Sequence, residues 1–224
     1  MNKIRQFILN QPNLALIILA AVYAIVTALY PLFNMPRATT YCLSTVLDDR
    51  IGFSPVWIIP YVIWYIFLPS VALFLMFKDK KQCGVTLLTM ILGLLLSYLT
   101  YSFFQTTVPR PTVPGNDLFS RLVRQIYHID QPYNAFPSIH VLVTYALMLG
   151  AAKAQDIQKA AKAAVWAVGW AIILSTVFVK QHVVADILGG IIAAQLIHGL
   201  MSRFLTRELF SLSQTTCKRV SDEL

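Results

Sequence analysis

Three stretches of this chain run without a charge: Leu14 to Phe33, Val56 to Phe77 and Gly84 to Phe104. A helix needs roughly 20 apolar residues to cross about 30 Å of hydrocarbon, so each reads as a membrane span. The second half is apolar in shorter pieces. Ser138 to Ala152 holds one His, Ala163 to Val179 holds no charge, and Val183 to Met201 is interrupted by Asp186, Gln195 and His198. The pattern predicts six spans, at about 14–33, 56–77, 84–104, 137–152, 163–179 and 183–201. The first is too long for a signal-peptide core, and no small-x-small cleavage site follows it. The expected architecture is all-α: one polytopic six-helix bundle, a single domain over residues 1–224.

One connection is long. Residues 105–136 separate the third and fourth spans, and long loops in compact domains are often functional. Pro109, Arg110, Pro111, Pro114 and Gly115 form a rigid entry, and Asn116-Asp117 marks a helix start. Leu118, Leu122 and Ile126 then fall on one face, with Arg121, Arg124 and His128 along another. This predicts an amphipathic helix lying on the membrane surface, either capping the bundle or presenting cations to lipid headgroups.

Composition agrees. Apolar residues make up 57% and charged residues 12%, against about 25% charged in a soluble domain. Cationic residues mark the cytoplasmic side. With six spans, 12 of the 18 Lys and Arg residues fall on the side of the termini: Lys3, Arg5, Lys78, Lys80, Lys81, Lys153, Lys159, Lys162, Arg203, Arg207, Lys218 and Arg219. Both termini are therefore expected in the cytoplasm, and the long loop outside. The net charge of +8 is a topology signal rather than a nucleic-acid footprint, because the cations are dispersed in short loops. The final Ser221 to Leu224 resembles a luminal retention tag, but cytoplasmic placement hides it from that receptor. Cys42, Cys83 and Cys217 show no metal spacing and no pairing pattern. The short loops point to a bacterial inner membrane; oligomeric state has no signal in the sequence.

Charged groups inside spans are costly and are candidates for function. Asp186 is the one acidic residue within a predicted span, and His182 precedes it by four. That spacing puts both on one helix face, where a carboxylate can fix the imidazole tautomer and raise its basicity. The alternative is a structural pair joining helices. Phe136-Pro137-Ser138-Ile139-His140 reads as a helix start, since Pro is favoured in the first turn. Its free N–H groups then face outward, where they suit an anion. At 16 residues the fourth span reaches about 24 Å, short of the core thickness, which would recess this end. Arg110 and Lys180 supply cations, and an arginine fork suits phosphate. Each feature alone is compatible with packing or headgroup solvation. Together, they fall at the outer ends of different spans.

The order Arg110-Pro111, Pro137-Ser138-Ile139-His140, and His182 with Asp186 resembles the type 2 phosphatidic acid phosphatase superfamily, whose motifs are Lys-x6-Arg-Pro, Pro-Ser-Gly-His and Ser-Arg-x5-His-x3-Asp. The match covers residues 103–186. Phe103 stands at the motif Lys, Ile139 at the Gly and Thr176 at the Arg. In this the chain is similar to the branch of inositol phosphorylceramide synthases and sphingomyelin-synthase-like proteins, where Lys-Gln-His, here Lys180-Gln181-His182, is a familiar form.

The resemblance implies a metal-independent hydrolysis of a lipid phosphate, with no cofactor. The substrate would be a phosphatidic acid-type monoester or an isoprenyl pyrophosphate in the bilayer. His182 attacks phosphorus, Asp186 orients it, and His140 protonates the leaving oxygen. Arg110, Ser138 and Lys180 hold the phosphoryl oxygens, with Arg121 or Arg124 as further replacements for the missing cations. Two other readings remain open: a phosphotransferase passing a phospho-headgroup to an alcohol, and a non-catalytic transporter or scaffold using the same polar groups for relay or packing.

Overall fold

The structure is a computed structural model that describes residues 11–222, with side chains described up to 205. Lys3, Arg5, the side chains of Arg207, Cys217, Lys218 and Arg219, and the Ser221 to Leu224 tail as a motif lie outside the described residues.

Helices dominate. In chain order they are α1 (Pro12–Ala28), α2 (Tyr30–Phe33), α3 (Val46–Arg50), α4 (Ile58–Lys78), α5 (Lys80–Phe103), α6 (Leu118–Ile129), α7 (Ile139–Lys153), α8 (Lys159–Phe178) and α9 (Val184–Asp222). Among the described residues, five segments are long and apolar enough to cross a bilayer: Pro12–Phe33, Pro55–Lys78, Lys80–Phe103, Lys159–Phe178 and Val184–Leu205. That is consistent with an integral membrane protein. Helix α7 is apolar but shorter, and stands fourth in chain order among these segments.

Helix α7 packs against α4, α5, α8 and α9, and its residues from Val141 to Ala151 are buried except Tyr145. A helix that is apolar all round belongs in an interior. At 15 residues it rises about 22 Å. Helix α4 turns a stripe inward at helical spacing, Tyr61, Trp64, Phe67, Val71 and Leu75, and leaves Ile63, Ile66 and Phe77 exposed.

Local signals fix the ends. Asp79 caps α5 by accepting from the Gln82 N–H. Asp117 caps α6 through the N–H groups of Phe119 and Ser120. A capping box joins Thr45 and Asp48 at α3. Such caps are each worth about 1 kcal/mol.

Two features depart from the sequence expectation. The all-α description misses a short parallel pair in which Tyr41–Cys42 (β1) bonds Thr106–Thr107 (β2), tying the first connection to the long loop. In α6 the inward residues are Phe119, Leu122, Val123 and Ile126, which pack with Ile58, Tyr61 and Val179, while Leu118 is 59% exposed. The buried stripe is thus rotated toward Val123, because α6 rests on the start of α4 rather than presenting its whole leucine row to one surface.

Candidate active site

Four segments converge at one end of the bundle: the loop after α5, the start of α7, the α8–α9 turn, and the start of α4. Ser138 caps α7, its hydroxyl accepting from the Val141 N–H at 3.3 Å. The Phe136–Pro137 peptide bond just before it is cis. Around it, the Tyr101 hydroxyl donates to the Pro137 carbonyl at 2.7 Å, and the Phe136 N–H donates to the Thr106 hydroxyl at 2.7 Å. The Ser138 N–H donates to the Asp186 carbonyl at 3.2 Å. Gly190 makes that approach possible, since a Cβ there would stand 2.9 Å from the Ser138 carbonyl oxygen. The His140 segment and the Asp186 segment are therefore bonded to each other directly.

The α8–α9 turn carries His182. Lys180 adopts φ 52°, a left-handed conformation unusual outside glycine and asparagine. The N–H groups of Gln181 and His182 both donate to the Thr176 carbonyl. His182 Nδ1 lies 3.3 Å from Asp186 Oδ2, and that oxygen also accepts the Val183 N–H at 2.9 Å. Asp186 is fully buried, and its Oδ1 has no partner among the described residues. With Nδ1 held, Nε2 is the nitrogen of His182 free to act as a nucleophile. The His140 ring sits 5.9 Å from that of His182, centroid to centroid.

Beside His182 lies a cavity of about 460 Å3 lined by Arg110, Lys180, Asp48, Asp49, Ser44 and Phe53, among others. Arg110 Nη1 donates to the carbonyls of Tyr127 and Asp130, Nη2 donates to the Gln181 side chain, and the guanidinium stacks 4.5 Å from the Tyr127 ring. Burial pulls its pKa down from the usual range, against the opposing pull of Asp130. Lys180 Nζ donates to the carbonyls of Asp48 and Ile51. An ammonium has three donors, so one remains.

The structure does not bring the other two expected cations to the histidines. Arg124 donates to the carbonyls of Val113 and Gly115, closing the loop that leads into α6. Arg121 is exposed, and its side chain has no partner among the described residues.

Several residues of this site carry no sequence signal. Asp48 accepts the Val184 N–H at 2.7 Å, so it caps α9 from far away in sequence. Burial pushes its carboxyl up, but the bonds from Val184 and Thr45 together with Lys180 outweigh this and hold it below the ordinary value. Asp130 accepts from the Tyr30 hydroxyl and Asn34. Burial raises its pKa despite these bonds and the nearby Arg110 and His182. Tyr61 and Gln181 hold His140 and Arg110 respectively.

A helical membrane fold with paired histidines, a buried carboxylate and a cation-lined cavity at one end defines a class of enzyme-like bundle, and comparison with known families names it. The profile of the PAP2 superfamily matches residues 42–200, and the chain belongs to that superfamily, whose members are phosphatases and phosphotransferases. No curated protein and no solved structure matches the chain.

Proposed function

We propose that this protein hydrolyses a lipid phosphate through a phosphohistidine on His182, at the extracytoplasmic face of a six-span bundle with cytoplasmic termini. In this reading α7 is also a span, the fourth in chain order, which brings the total to six, and α6 lies along the outer membrane surface. The observation that carries the proposal is the Asp186–His182 contact with His140 beside it, next to a cavity lined by Arg110 and Lys180.

His182 Nε2 attacks phosphorus while Asp186 holds Nδ1–H and offsets the positive charge that develops on the ring. His140 gives a proton to the departing oxygen, then takes one from the attacking water. Arg110 and the remaining donor of Lys180 stabilise charge on the phosphoryl oxygens, the larger part of catalysis in phosphoryl transfer. Ser138 contributes chiefly by fixing the start of α7, because its hydroxyl oxygen already accepts the Val141 N–H. It keeps its own O–H to donate to a phosphoryl oxygen.

Transfer to an alcohol is the second reading. The cavity volume, within the range of small-molecule sites, favours it: there is room beside a phosphoryl group for an acceptor.

Phosphate release by the detergent-purified protein from a panel of lipid phosphates, with EDTA present, tests the hydrolase. Release that disappears in His182→Ala is expected. No release from any lipid, or equal release from the variant, sinks it; absence of free phosphate together with a phosphorylated alcohol formed when an alcohol acceptor is added selects the transferase.

A further inference from the structure

Helix α4 contributes two aromatic residues that bracket His140. Tyr61 Oη lies 3.2 Å from His140 Nε2, and the two rings are 5.0 Å apart. Trp64, one turn on, sits 4.4 Å from the imidazole. Tyr61 is 1% exposed and belongs to the cluster that α6 closes with Val123 and Tyr127, and the α8 end with Val179. Its side chain is thus packed by α6 and the end of α8, and the imidazole is its one hydrogen-bond partner among the described residues.

We propose that Tyr61 is a positioning residue for His140, fixing which ring nitrogen carries the transferable proton. The inference rests on the acid–base role given to His140 above. The tautomer of a histidine is set by the bond its other nitrogen makes. A phenolic hydroxyl accepts as well as donates, so the Tyr61 oxygen can hold the Nε2–H of His140 in both of its protonation states. In neutral His140 the Nε2–H donates to the Tyr61 oxygen, which leaves the Nδ1 lone pair free to take a proton. In the imidazolium, Nε2–H donates to the Tyr61 oxygen and Nδ1–H faces the leaving group. As the P–O bond breaks and the His182–phosphorus bond forms, the Nδ1 proton passes to the departing oxygen. Nε2 then holds the remaining proton against Tyr61. When water attacks the phosphohistidine, its proton returns to Nδ1 and its oxygen stays on phosphorus. Protons balance over the cycle, and Tyr61 gains and loses none.

The first arm of the test is NMR of the 15N-histidine-labelled protein in detergent, with His140→Gln to assign the signal. Wild-type neutral His140 is expected as the Nε2–H tautomer, and Tyr61→Phe, which removes the acceptor, to shift the population toward Nδ1–H. An unchanged tautomer in Tyr61→Phe overturns the proposal whether or not a substrate has been found. The second arm compares leaving groups. A general acid contributes roughly 100-fold or more, so Tyr61→Phe is expected to lower kcat at least about tenfold on phosphatidic acid, with little change in KM. On 4-nitrophenyl phosphate, whose leaving group departs without a proton, the loss is expected to stay below about threefold. Equal loss on both substrates marks Tyr61 as merely structural. If His182→Ala retains release, the phosphatase reading fails instead, and the NMR arm still decides Tyr61.

Discussion

Asp186 Oδ2 accepts the Val183 N–H at 2.9 Å and stands 3.3 Å from His182 Nδ1. One carboxylate oxygen thus starts helix α9 and orients the imidazole one turn before it. Substitution by Asn keeps the size and the backbone bond but loses the charge opposite the ring. Asp186→Asn is expected to lower kcat roughly 100-fold or more, as loss of the carboxylate does in other histidine-based sites, with an unchanged helical circular dichroism spectrum. Activity within threefold of wild type would remove Asp186 from the mechanism.

Arg110 and Lys180 differ in how firmly they are held. The guanidinium makes three bonds in a fixed fork and stacks on Tyr127, so Arg110→Lys is not conservative and is expected to lower kcat/KM by about 10- to 100-fold. Lys180→Met is expected to do the same while loosening the 48–52 segment, read as faster hydrogen exchange at Ile51 and Gly52. Full activity in Lys180→Met would show that another group replaces the missing motif cation.

Arg121 and Arg124 separate by role. Arg121→Ala is expected to leave kcat/KM within about twofold, as for exposed surface positions generally. Arg124→Ala frees the carbonyls of Val113 and Gly115 and is expected to make residues 113–117 a preferred protease site. Equal, large activity losses in both variants would instead indicate that α6 offers a cationic stripe to the substrate.

Gly190 permits the contact between the two motif segments. Gly190→Ala puts a methyl 2.9 Å from the Ser138 carbonyl and 3.0 Å from Val141 Cβ, and overpacking of this kind costs about 1–3 kcal/mol. A lower Tm and reduced activity are expected. Gly199→Ala, on the same helix with nothing within 4 Å of the added group, is the control: helix propensity favours alanine by up to ~1 kcal/mol, so its Tm holds or rises.

The Asp48 carboxyl is held below its ordinary value of 3.8 by its bonds to Val184 and Thr45, with Lys180 adding to the effect, against burial. A depressed carboxylate contributes stability that is fully present above the unfolded pKa and lost as pH falls through the folded one. Asp48→Asn is therefore expected to be less stable than wild type at neutral pH, with the gap closing as pH drops below 3.8. A gap constant with pH would mean that the charge of Asp48 is not what anchors α9.

Some of this is legible in the sequence because the relevant information is local. Charge-free runs locate the long helices, and a four-residue spacing is enough to put His182 and Asp186 on one helix face. Chain topology alone puts Arg110, Ser138, His140 and Lys180 at one end. Contacts between distant segments are not legible. Tyr61 and Trp64 lie in an apolar run where any aromatic residue looks like core or lipid contact; what distinguishes them is their closeness to His140, 79 residues on from Tyr61. Asp48 and Asp49 are adjacent and alike in sequence, yet one caps α9 and the other is exposed at the cavity. Helical periodicity gives α6 two faces, but its packing partner sets which residues turn inward.

The central claim is covalent catalysis by His182, and trapping the intermediate tests it most directly. Protein mixed briefly with a 32P-labelled lipid phosphate and quenched in alkali should carry one acid-labile, alkali-stable phosphoryl group. Mass spectrometry should place it on His182, and His182→Ala should carry none. Turnover without a phosphoenzyme, or label on a residue other than His182, would contradict the account.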